Sequence, residues 1–168
     1  MDVNKFIAEV NAINWRNFDD LEHSQPKSIP CSLMTLALAD EESEEGIYKA
    51  EGMKTELLLN AAIKNNVMFA IGNGHSGEYY SVVREILPFI VQIALSSNHL
   101  VAKNCAINII IDLYFAYPAN GSEELENFVK DSIKKSITEN REIFLSLVTH
   151  DKRNKSLIDS LISIVDEN

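Results

Sequence analysis

The spacing of apolar residues over residues 78–95 constrains this chain most: Tyr79, Val82, Val83, Ile86, Leu87, Ile90, Val91, Ala94 and Leu95. Steps of three and four place them along one stripe of an α-helix, whereas a half-buried strand would need strict alternation. Such a stripe is stable only against another apolar surface, so the chain must supply partner helices. Pro88 falls inside the stripe. It lacks the N–H that would bond to the Arg84 carbonyl, so a kink or a helix restart is expected there.

Partner helices are easily found. Val3, Phe6, Ile7 and Val10 predict a short first helix, and residues 29–38 a second, with Pro30 suited to its first turn. Residues 44–68 carry Ile47, Ala50, Leu57, Leu58, Ala61 and Ala62 and predict a long one. Residues 100–117 are apolar nearly all round, which marks the central and most buried helix. After the break at Asn120-Gly121-Ser122, Ser122 with Glu123 and Glu124 makes a helix start, continued by Leu125, Phe128, Val129, Ile133 and Ile137. Two more helices follow, on Ile143, Phe144, Leu147 and Val148, then on Leu157, Ile158, Leu161, Ile162 and Val165. The expectation is an all-α chain of about eight helices with short connections, no convincing strand and a single domain over residues 1–168.

Gly72-Asn73-Gly74-His75-Ser76-Gly77 matches the G-x-G-x-x-G dinucleotide fingerprint letter for letter. That chemistry needs a βαβ unit, with the pyrophosphate on a helix N-terminus and an acidic residue after the second strand. Asn108-Ile109-Ile110-Ile111-Asp112 is the one candidate for that strand, and nothing else could complete a parallel sheet. A helix C-cap, a glycine loop and the start of the next helix is the expected structure instead. His23, His75, His99 and His150 are scattered and fit no zinc spacing. No nucleophile elbow, P-loop lysine or catalytic-cysteine signature occurs, so no enzyme activity, catalytic residue, metal or cofactor is expected.

Composition and charge narrow the function classes. The 46% apolar and 24% charged content is that of a folded globular protein. A formal net charge of −10 disfavours nucleic-acid binding, which depends on neutralising phosphates. It suits either plain solubility or a basic partner steered by the opposite field. The charge is uneven: residues 1–129 hold 18 acidic and 8 basic side chains, whereas residues 130–155 hold 4 and 7. Cys31 and Cys105, each in an apolar stretch, are expected as buried thiols in a reducing compartment. No signal-peptide pattern opens the chain, and its apolar stretches are too short to span a membrane. A cytoplasmic location is expected.

The cluster Asp40-Glu41-Glu42-Ser43-Glu44-Glu45, with Asp19, Asp20 and Glu22 before it, has two explanations. Carboxylates favour helix N-termini, and a long helix is expected to begin here. Yet five carboxylates in six residues repel one another, and a basic partner would relieve that repulsion.

From Trp15 onward the order of features resembles the HEAT-like α-helical immunity proteins of bacterial polymorphic toxin systems, including contact-dependent inhibition. The resemblance rests on Trp15, Ile29-Pro30, Asp40-Glu41-Glu42, Gly74-His75-Ser76-Gly77-Glu78-Tyr79-Tyr80 and Ile86-Leu87-Pro88-Phe89-Ile90. The closing apolar segments add a more generic likeness. Ser76 departs from the family pattern, which has a glutamine-like residue there. The resemblance implies an α-solenoid-like stack of antiparallel helix pairs. It also implies binding and neutralising a cognate toxin domain, often a nuclease, whose basic cleft an acidic protein could plug. Expected contact residues are Asp19, Asp20, Glu22, Glu41, Glu42, Glu44, Glu45, His75, Tyr79 and Tyr80. A HEAT-like scaffold or adaptor without a toxin partner is the competing expectation, and a small nucleotide-binding enzyme the third.

Overall fold

The computed structural model describes residues 1–18, 28–40, 59–150 and 154–166. Among these residues the chain forms eight α-helices: α1 Val3–Ala12, α2 Ile29–Ala37, α3 Leu59–Ile71, α4 Val83–Ser96, α5 Leu100–Phe115, α6 Glu123–Glu139, α7 Arg141–His150 and α8 Lys155–Asp166. The all-α expectation holds. The described part of the long helix expected over residues 44–68 is α3, and the remainder lies outside the described residues.

Local chemistry explains several boundaries. Asp2 caps α1 by accepting from the Lys5 N–H at 3.1 Å. Pro30 sits in the first turn of α2, where its missing N–H costs no helical bond. Ser122 caps α6 by accepting from the Leu125 N–H at 3.2 Å, and Glu123, Glu124 and Glu126 meet the positive end of its dipole. Trp15 is buried in the 3₁₀ turn Trp15–Phe18, and its indole N–H donates to the Val10 carbonyl at 2.8 Å.

The most extensive helix contacts are α4 with α5, α2 with α3 and α3 with α5. Helix α8 packs on α5, α6 and α7, and α4 also touches α2 and α6. Helix α5 is the hub, burying Val101, Ala102, Cys105, Ala106, Ile107, Ile109, Ile110 and Leu113. Its all-round apolar surface is explained by neighbours on nearly every side. Helix α6 buries only the stripe Leu125, Val129, Ile133 and Ile137, as an edge helix should. Phe6 of α1 meets Phe89 of α4 edge-on, with ring centroids 5.7 Å apart. Arg141 and Asp166 join the start of α7 to the end of α8 through two parallel bonds of 2.9 and 2.8 Å. The shared bond and charge hold the Asp166 carboxyl below its usual range and the Arg141 guanidinium above its own.

Three expectations need correction, and one is answered in part. Strands do exist: β1 Gly72–Asn73, β2 Glu78–Tyr79 and β3 Tyr117–Pro118 form a small sheet in the order β1-β2-β3. Accordingly, the helix expected over residues 78–95 starts only at Val83, because Glu78 and Tyr79 are held by strand pairing. Of the kink or restart expected at Pro88, the restart does not occur, since α4 runs on through it. Its ring is exposed, on the side where water can reach the carbonyl it leaves unbonded. Cys31 is exposed rather than buried, because its place on α2 faces away from the stripe of Ile29, Leu33, Leu36 and Ala37; Cys105 is buried as expected.

Candidate protein-contact surface

The glycine-rich segment folds as a hairpin. Gly72 pairs with Tyr79 and Asn73 with Glu78 in antiparallel register, and four residues turn the corner. The Gly77 N–H donates to the Asn73 carbonyl at 3.0 Å, and the His75 N–H donates to Asn73 Oδ1 at 3.1 Å. Two glycines are dictated by geometry. A Cβ on Gly72 would lie 2.0 Å from the Glu78 carbonyl oxygen, and Gly77 has φ of +74°. Residues 67–71, which precede the motif where the fingerprint requires a strand, lie in helix α3, and Asn108 to Asp112 lie within helix α5. The motif therefore follows a helix and does not join a strand to a helix as the fingerprint requires.

The third strand reaches the hairpin from the far end of α5. It pairs in parallel with β2, Glu78 opposite Tyr117 and Tyr79 opposite Pro118. Alternation then sorts the sheet into two faces. Gly72, Tyr79 and Pro118 face the core, whereas Asn73, Glu78 and Tyr117 face outward. Tyr117 also bonds across the turn, its hydroxyl donating to the Ser76 carbonyl at 2.9 Å. The Ser76 hydroxyl donates to Glu78 Oε2 at 2.6 Å.

Aromatic side chains stand exposed around this hairpin. His75 packs edge-on against Phe69 with ring centroids 4.9 Å apart, and Tyr117 flanks the other side of the turn. Phe69 is 37% exposed, Tyr117 47% and Phe115, two residues before β3 ends the helix, 72%. Burying such rings against a partner is favourable, and aromatic clusters of this kind anchor protein interfaces.

The expected contact residues divide into three groups. Asp19, Asp20, Glu22, Glu41, Glu42, Glu44 and Glu45 lie outside the described residues. His75 is exposed at the hairpin tip, and Tyr80 is half-buried with its ring packed against the core. Tyr79 is the correction: it is fully buried and offers no surface to a partner. The strand register turns it inward, opposite to its neighbours Glu78 and Tyr80. Its hydroxyl has no hydrogen-bond partner. Burial, helped by the nearby Glu126 charge, pushes its pKa up to about 12.

Phe69, Glu78, Phe115 and Tyr117 were not anticipated. Phe69, Phe115 and Tyr117 stand exposed despite apolar sequence surroundings, and strand pairing sets Glu78 beside Tyr117. Among the described residues there is no cluster of three or more His, Cys, Asp or Glu side chains able to hold a metal ion. No described helix is long and apolar enough to cross a membrane. No protein-family model, curated protein or solved structure matches the chain.

Proposed function

We propose that this chain is a HEAT-like immunity protein that binds and neutralises a cognate bacterial toxin domain in the cytoplasm, with a basic nuclease as the favoured toxin class. The observation that carries the reading is the set of exposed aromatic side chains on the braced hairpin, with Phe69 packed on His75 and Tyr117 held against the turn. A braced surface binds with little ordering cost, and exposed rings supply the desolvated centre of an interface. The net charge of −10 adds long-range attraction for a basic domain. The all-α architecture accommodates a HEAT-like scaffold.

The test is genetic and then biophysical. The reading frame directly upstream should encode a toxin whose lethality is suppressed by co-expression of this chain. Reversing Glu41, Glu42, Glu44 and Glu45 to lysine should leave the fold intact, slow association and weaken protection. Failure of any neighbouring toxin to bind would leave a scaffold or adaptor role as the better account. Unchanged toxin affinity in the folded quadruple variant would remove the acidic segment from the interface and shift attention to the basic 130–155 region.

A further inference from the structure

We propose that the outward face of the small sheet is a docking site for an arginine side chain on the partner protein, built from Glu78 and Tyr117. The inference rests on the protein-binding role proposed above and names the chemistry of that contact. Glu78 and Tyr117 are in-register neighbours on parallel strands, so their side chains emerge side by side about 4.8 Å apart. One supplies a carboxylate and the other an exposed ring. A guanidinium can satisfy both at once, because its planar donors bond a carboxylate while its face stacks on an aromatic.

Three details favour a visiting cation. Glu78 forms no ion pair among the described residues; its recorded side-chain bond is from the Ser76 hydroxyl to Oε2. Lys64 and Lys130 are paired with other carboxylates, Asp112 at 2.8 Å and Glu126 at 2.5 Å. The Tyr117 hydroxyl is tied to the Ser76 carbonyl, which fixes the ring without covering it. The site is therefore preorganised before the partner arrives. An ammonium would meet the charge but lose the stacked, bidentate fit.

Peptides of alternating glycine and arginine, glycine and lysine, or glycine and citrulline test this directly. Each is titrated into the full chain labelled for aromatic and side-chain carboxyl NMR. The arginine peptide should shift the Tyr117 ring and the Glu78 carboxyl together, and the lysine and citrulline peptides should bind this pair more weakly. Glu78→Gln should weaken the arginine response about tenfold with an unchanged circular dichroism spectrum. Tyr117→Leu, with the hairpin amide signals checked for retention of the turn, should also reduce it. Equal responses to arginine and lysine would overturn the guanidinium assignment. Shifts confined to other carboxylates, or insensitive to Glu78→Gln, would overturn the site. Toxin protection that survives Glu78→Gln unchanged would also overturn the site while leaving the immunity role standing. A confirmed peptide site in a chain that protects against no toxin would do the reverse.

Discussion

Helix α5 and the small sheet that receives its C-terminal end are organised by opposite physics. Along α5, burial is general: Cys105, Ala106, Ile107, Ile109 and Ile110 are enclosed on all sides, and other apolar side chains of the same size could fill much of that space. In the small sheet, position is specific. Gly72 touches the Glu78 backbone so closely that no side chain fits, and a few bonds from Tyr117 and Ser76 hold the turn. The helix contributes stability, and the sheet contributes shape at the surface. A region built from a few exact contacts can present groups to a partner, whereas a region built from bulk burial cannot.

Substitutions in the two regions should separate these roles, and the largest effect on stability is expected in the helix. Leu113→Ala removes a fully buried side chain from α5 and should cost about 2–5 kcal/mol in chemical denaturation, with the spread set by how far the core closes up. A loss under 1 kcal/mol would show that α5 is not the hub of the core. Gly72→Ala follows, at about 3 kcal/mol, because its new Cβ meets backbone that must move. Gly77→Ala should cost less, about 1–2 kcal/mol, since its penalty is the left-handed φ and no backbone stands in the way. If both glycine variants weaken partner binding beyond their effect on stability, the shape of the hairpin matters to binding.

Tyr79 sharpens the comparison from within the sheet, where an inward ring belongs to the core but carries a polar group. Tyr79→Phe removes an unpartnered buried hydroxyl and should be neutral or stabilising, within about 1 kcal/mol at pH 7. Above pH 10 the two proteins should diverge. The unfolded chain releases the phenolic proton near pH 10, while the folded chain keeps it up to about 12. The folded state therefore holds more protons in that window, and wild-type stability falls as pH rises, by at most about 1.4 kcal/mol per pH unit from this group. Tyr79→Phe should lack that component, which denaturation at pH 9 to 11.5 would measure. Parallel curves for the two proteins would place the hydroxyl in contact with water.

The smallest effect on stability is expected at Phe115, whose ring is 72% exposed. Phe115→Ser should change unfolding free energy by no more than about 0.5 kcal/mol. Its effect should appear in partner affinity instead. A large loss of stability would mean that the ring closes onto the core in solution.

The sequence alone determined the helices, because periodic burial is written locally. The stripes of α1, α2 and α6, the all-round apolar surface of α5, the Ser122 cap and the place of Pro30 all follow from residues within one or two turns of each other. Tertiary structure alone decided the candidate surface. Tyr79 carries helical spacing but lies in a strand, because β1 and β3, distant in sequence from each other, grip the segment from both sides. Phe69, Phe115 and Tyr117 look like core residues in sequence, yet each stands exposed in the fold. Glu78 acquires a ring beside it only through pairing with a strand 39 positions away. Local spacing encodes which face of an element is apolar. Which of those faces finds a neighbour, and which is left for a partner, depends on contacts between segments far apart in the chain.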